Sequence, residues 1–162
     1  MSEFAYKKAV EVTEKYNTRN PFEIADASGI IVIYNNEFCK LKGFYAIINR
    51  QRYMVLNGNL DERARLVVAA HELGHDMLHR EFAKNGALHE YMLYDMKTRP
   101  EYEANVFAAE LLITDENINK RTREGADMQQ IAVELGVDIN LVAVKVGNMN
   151  TRGHIIGRNT NN

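Results

Sequence analysis

His71, Glu72 and His75 stand in the run His71-Glu72-Leu73-Gly74-His75, within an apolar-rich stretch from Leu66 to His79. On a helix, residues four apart project from one face and lie about 6 Å apart along the axis. Two imidazoles at that spacing can grip one metal ion. Glu72 lies roughly a quarter turn round from His71, so its carboxylate can reach a water on the metal rather than the metal itself. This is the spacing of a zinc hydrolase with a glutamate general base.

A catalytic zinc site takes three protein ligands and leaves the fourth position for water. The motif supplies two. A three-histidine version is excluded, because Leu78 holds the glycine position and Glu81 the last histidine position of that longer pattern. The later run PEYEANVFAAELL offers Glu101, Glu103 and Glu110 instead. Its apolar positions Ala104, Phe107, Ala108, Leu111 and Leu112 mark the inward face of a helix. At helical phase Glu101 falls about 60° from the middle of that face, Glu103 about 100° away on the other flank, and Glu110 further round still. Glu101 is the preferred third ligand and Glu103 the reserve. His79 shares a side with His75 and is expected around the ligands rather than among them.

The elements that must carry these residues follow from local signals. Residues 3–16 set Phe4, Val10 and Tyr16 among charges at helical intervals. Asn20, Pro21 and Gly29 suit the cap, first position and exit of a short second helix. Ile30 to Tyr34 is β-branched and bounded by turn formers, which predicts a strand buried on both faces or central in a sheet. Gly43 to Asn49 and Arg52 to Asn57, joined through Arg50 and Gln51, predict a hairpin. Asp61 and Glu62 then open the motif helix, which extends to about Arg80.

Residues 81–99 have no clear period and are expected to connect the helices beside the site, with His89, Tyr91 and Tyr94 near it. Pro100 starts the glutamate helix, and Thr114 or Asp115 caps a short one after it. Residues 126–149 predict two helices broken at Gly136 and Val137, either a helix-turn-helix or an αα-hairpin. The fold class is α+β, with a small, at least partly antiparallel sheet of about three strands packed with a zincin-like active-site helix and several further helices. The expected division is a metallopeptidase domain at 1–114, a helical subdomain at 115–148 and a flexible tail at 149–162.

The HELGH helix followed by a helix of the form ExxAxxFAxxLL resembles the ImmA/IrrE family of metallopeptidases, over about Gly29 to Lys120. The resemblance implies that Glu101, before AxxFA, is the third zinc ligand. It also implies a cytoplasmic, zinc-dependent enzyme of mobile elements or stress loci that cleaves a helix-turn-helix repressor and so derepresses transcription. Family members commonly carry proline soon after the paired leucines, where this chain has Ile113, Thr114 and Asp115.

Bulk composition is compatible with this reading. Twenty Lys and Arg against twenty-two Asp and Glu leave no chain-wide basic field to attract nucleic acid. The acidic, amphipathic N-terminus does not read as a signal peptide, and no apolar run approaches the roughly 20 residues that span a bilayer. The single cysteine, Cys39, excludes an internal disulfide, and is expected at a strand edge or in the core. Lys145 is the one basic residue in INLVAVKVGN, so DNA reading by that helix is not favoured over packing or substrate docking. The competing class is a non-enzymatic, metal-stabilised regulator that binds a repressor or DNA.

Overall fold

The computed structural model describes residues 2–83, 88–90 and 98–154. It is an α+β fold whose elements run α1 (Ser2–Tyr16), α2 (Pro21–Ala27), β1 (Ile30–Asn35), β2 (Gly43–Ile48), β3 (Gln51–Asn57), α3 (Glu62–Ala83), β4 (Leu88–Glu90), α4 (Arg99–Leu112), α5 (Asp115–Arg123), α6 (Met128–Leu135) and α7 (Ile139–Thr151). Asn20 caps α2 by accepting from the Phe22 amide, with Pro21 at the first position. Thr98, Thr114 and Asp127 cap α4, α5 and α6 in the same manner. Gly136 stops α6 in the left-handed conformation, φ 66°, where a Cβ would be strained. The break between α6 and α7 is therefore written locally.

The sheet has the order β1-β3-β2-β4. β1 runs parallel to β3, from Ile30 opposite Arg52 to Asn35 opposite Asn57. β2 runs antiparallel to β3, from Gly43 opposite Leu56 to Ile48 opposite Gln51, and to β4. Three expectations are corrected here. β1 is neither central nor buried on both faces: among the described residues it pairs only with β3, and Ile31 and Ile33 are 44% and 42% exposed. Its β-branched residues specify a strand without specifying its neighbours. The hairpin turns at Asn49 and Arg50, both at positive φ as a type I′ turn requires, rather than at Arg50 and Gln51. A fourth strand, β4, lies in the stretch read as irregular connection.

Cys39 is exposed in the connection between β1 and β2, not at a strand edge or in the core. α7 continues to Thr151 and so takes in the first three residues of the segment expected to be a tail.

One face of the sheet packs on α3, and α3 packs on α4. Tyr45, Met54 and Leu56 from the sheet, Val68, Ala69 and Leu73 from α3, and Phe107 and Leu111 from α4 are all fully buried. Contact between α3 and its neighbours depends on small residues. A Cβ on Gly43 would stand 2.8 Å from Val68 Cγ1, and one on Gly74 would stand 3.2 Å from the Ala104 Cα. Gly74 therefore lets α4 cross directly over the motif helix.

The rotation of α3 about its axis is held by Asp76, which is buried. Its carboxylate accepts from the Tyr45 hydroxyl at 2.6 Å, from Arg52 at 2.9 Å and from Arg80 at 2.9 Å. Burial and the bond to Asp76 push the Tyr45 phenol well above its usual range. With Asp76 turned to the sheet, the neighbouring histidine is turned toward α4.

Candidate metal centre

His71 and His75 come from consecutive turns of α3, and Glu101 from the first turn of α4. The two Nε2 atoms are 3.0 Å apart. Each carboxylate oxygen of Glu101 faces one of them, at 3.2 Å from His71 and 3.4 Å from His75. One ligand atom from each of the three residues lies within 4.8 Å of the others. His71 and His75 are buried, while the Glu101 side chain retains 20% exposure, so the site opens on the Glu101 side.

Local sequence explains how Glu101 arrives. Thr98 caps α4 and accepts from the Glu101 amide at 3.4 Å, and Pro100 in the first turn has no amide to satisfy. The carboxylate thus sits at the positive end of the α4 dipole, where an anion is favoured. Burial opposes its ionisation, but with a proton on a facing Nε2 the hydrogen bond to that histidine outweighs burial and holds the carboxyl far below the usual range. Burial pushes His75 down to about 4, so near neutral pH its ring is uncharged and offers a lone pair.

The donor set suits a cation. His71 Nδ1 faces the Asn105 carbonyl oxygen at 3.0 Å, and a carbonyl can only accept, so the His71 proton belongs on Nδ1. That leaves the His71 Nε2 lone pair aimed at the His75 Nε2 and at a carboxylate. Three electron-pair donors facing one point are reconciled by a positive ion between them. His-His-carboxylate with an open side is the donor set of catalytic rather than structural zinc sites.

Of the expected site residues, the structure brings together His71, His75 and Glu101, and Glu72 is fully buried on the same helix. Glu103, the reserve ligand, is elsewhere: it pairs with His79 at 2.9 Å and Arg99 at 2.8 Å. Burial opposes its ionisation too, and His79 and Arg99 hold its carboxyl below the usual range. Glu110 is also buried, although helical phase placed it furthest from the inward face. α4 is buried on more than one side because α1 and α7 cover its second face.

Tyr91 and Tyr94 and the side chain of His89 lie outside the described residues. Sequence reasoning missed Asn105, Asp76 and Tyr45. Asn105 was visible four residues beyond Glu101, on the same side of the helix.

Comparison with known proteins decides the family. The family model described as the IrrE N-terminal-like domain, Peptidase_M78, matches residues 25–146. The chain belongs to this metallopeptidase family. It is 37% identical over 140 residues to a protein of Bacillus phage phi105 named uncharacterized immunity region protein 2, covering 86% of this chain and 87% of that one. It is 26% identical over 132 residues to the metallopeptidase ImmA of Bacillus subtilis (strain 168), covering 80% of this chain and 76% of that one. Membership of the M78 peptidases implies a metal and a protein substrate. Among the described residues no helix is long and apolar enough to cross a membrane.

Proposed function

We propose that the chain is a zinc-dependent endopeptidase of the cytoplasm that cleaves a helix-turn-helix transcriptional repressor and thereby derepresses genes. The observation that carries the chemistry is the meeting of His71, His75 and Glu101 from two helices, with Glu72 buried beside them. In this reading those three residues hold zinc, which when bound polarises the scissile carbonyl and makes a water easier to deprotonate. Glu72 accepts the proton of the attacking water and passes it to the leaving amine. Asn105 fixes the His71 ring, and the opening beside Glu101 admits the peptide.

Residues 1–114 are taken as the catalytic unit and 115–148 as a helical subdomain that packs or docks substrate rather than reading DNA. In support, Lys145 is only 1% exposed and its ammonium lies 2.5 Å from Glu110. The residues that α7 does expose include Ile139, Asn140, Ala143, Gly147 and Asn150, none of them basic. The commonest specific groove contact is a basic side chain on guanine, and none is exposed on α7 to make it. The phage immunity-region relative supports assigning the chain to a mobile element's control circuit.

The ligand assignment is tested by metal analysis of purified variants. Glu101→Ala is expected to lose stoichiometric zinc while retaining its helical circular dichroism. Full zinc content in that variant would exclude Glu101 as a ligand.

A further inference from the structure

His79 lies one turn beyond His75, at a point where α3 leaves helical backbone values (φ −130°, ψ 24°). Its ring is buried and lies between His75 and Glu103. Nδ1 is 3.4 Å from the Nδ1 of His75, and Nε2 is 2.9 Å from a Glu103 carboxylate oxygen. The other oxygen of Glu103 accepts from the Arg99 guanidinium at 2.8 Å. A line of polar contacts therefore runs from Arg99 through Glu103 and His79 to His75, on the side of the His75 ring away from His71 and Glu101.

With a single proton on the His79 ring, donor and acceptor roles along that line have one consistent solution. A carboxylate only accepts, so the proton on His79 is on Nε2, and its Nδ1 is a bare acceptor. His75 must then donate from Nδ1, which leaves its Nε2 lone pair toward His71 and Glu101. With a proton on His79 Nδ1 the order reverses: His75 would accept at Nδ1 and carry its proton on Nε2, in the place a metal would occupy. The second arrangement closes the site.

We propose that Glu103 and His79 form a hydrogen-bonded relay that holds the His75 imidazole with its proton on Nδ1 and its Nε2 free for metal, making both of them positioning residues. The inference rests on the reading of His75 as a ligand. It extends the usual carboxylate–histidine–metal arrangement by one imidazole, and gives a role to a glutamate that sequence alone ranked as a spare ligand. Residues that orient a ligand in this way are worth about 10- to 100-fold in metal affinity.

Two measurements on zinc-loaded protein test it. With 15N-labelled histidine at neutral pH, a two-bond 1H–15N correlation spectrum reads each tautomer. His79 is expected to carry a proton on Nε2 and none on Nδ1, and the His75 Nδ1 proton to exchange slowly with water. A proton on His79 Nδ1 overturns the relay. Zinc affinity, read by competition with a chelating dye, is expected to fall about 10- to 100-fold in His79→Phe. His79→Gln should recover part of the loss, because a carboxamide can donate to Glu103 and accept from His75. A wild-type dissociation constant in His79→Phe, or a Gln variant no better than Phe, contradicts the proposal and leaves His79 a packing residue.

Should His79→Phe fail to fold, the tautomer in the unsubstituted protein decides alone. If that protein takes up no zinc at all, the metallopeptidase reading fails first and the relay with it. Zinc uptake with the wrong His79 tautomer sinks only the relay.

Discussion

Each imidazole in the site is held at its far nitrogen by a group that is not itself a candidate ligand. Asn105 accepts from His71, and the resulting tautomer leaves Nε2 with the lone pair that a metal ligand needs. Asn105→Ala is expected to weaken zinc binding by about tenfold or more, with little change in unfolding temperature of the metal-free protein. Unchanged affinity would mean that packing alone orients His71. That His71 and His75 would face each other was legible from spacing, because i and i+4 on a helix share a face whatever the fold. Glu101 could be ranked first because its phase put it near the inward face of α4. Asn105 was within reach of the same spacing rule, but Asp76 and the partners of His79 and Glu103 were not legible. Their meaning comes from what a second element presents to them, and no local pattern encodes that.

At the scale of elements, the site exists because α3 and α4 cross closely and because α3 cannot rotate. Gly74 permits the crossing, since a Cβ there would press on the Ala104 backbone and the Phe107 ring at 3.2 Å. Gly74→Val should push α4 away and carry Glu101 with it. The expected result is a loss of zinc affinity at least as large as for Asn105→Ala, against a gain of only about 0.3 kcal/mol in helix propensity. Titration with zinc and a competing chelator checks this, and a variant that binds normally would show that α4 tolerates the shift.

Helix ends were the most readable elements: Asn20, Pro21, Pro100, Thr114 and Gly136 each do what their chemistry prescribes. The sheet was less so. A run of Ile and Val signals extension but not whether a strand is central or at an edge, and β1 lies at an edge with two isoleucines in solvent. The turn was misplaced by one residue because Arg50 takes a positive φ that its side chain does not advertise.

In the whole molecule, α7 and its capping Arg152 are tied to α4, α5 and α1 by a largely buried ionic cluster. Lys145 meets Glu110 and Asp115, Asn148 donates to Glu110, and Arg152 meets Asp115 at 3.0 Å while its guanidinium stacks 3.9 Å from the Tyr6 ring centre. Lys145→Met leaves Glu110 buried with one cation fewer, and should cost about 3 kcal/mol in urea denaturation. A neutral result would mean that Arg152 and Asn148 suffice. Asp115 adds a dependence on pH. Burial opposes its ionisation, but Arg152 and Lys145 hold it at about 2, below the ordinary 3.8. Because the folded value is depressed, its stabilisation is complete above about pH 4 and is lost as pH falls toward about 2. Urea midpoints across that window should fall less steeply in Asp115→Asn than in the unsubstituted protein. Equal slopes would remove Asp115 from the explanation.

The most direct test of the central claim is the intact mass of a helix-turn-helix repressor, the one encoded beside this chain's own gene, after incubation with zinc-loaded protein and with zinc-loaded Glu72→Gln. One defined cut is expected from the first. In the second, with zinc still bound, the rate should be slower by about a hundred- to ten-thousand-fold. Cleavage by Glu72→Gln at the unsubstituted rate would contradict the assignment of Glu72 as the base, and an uncut repressor with both would contradict the proposed substrate.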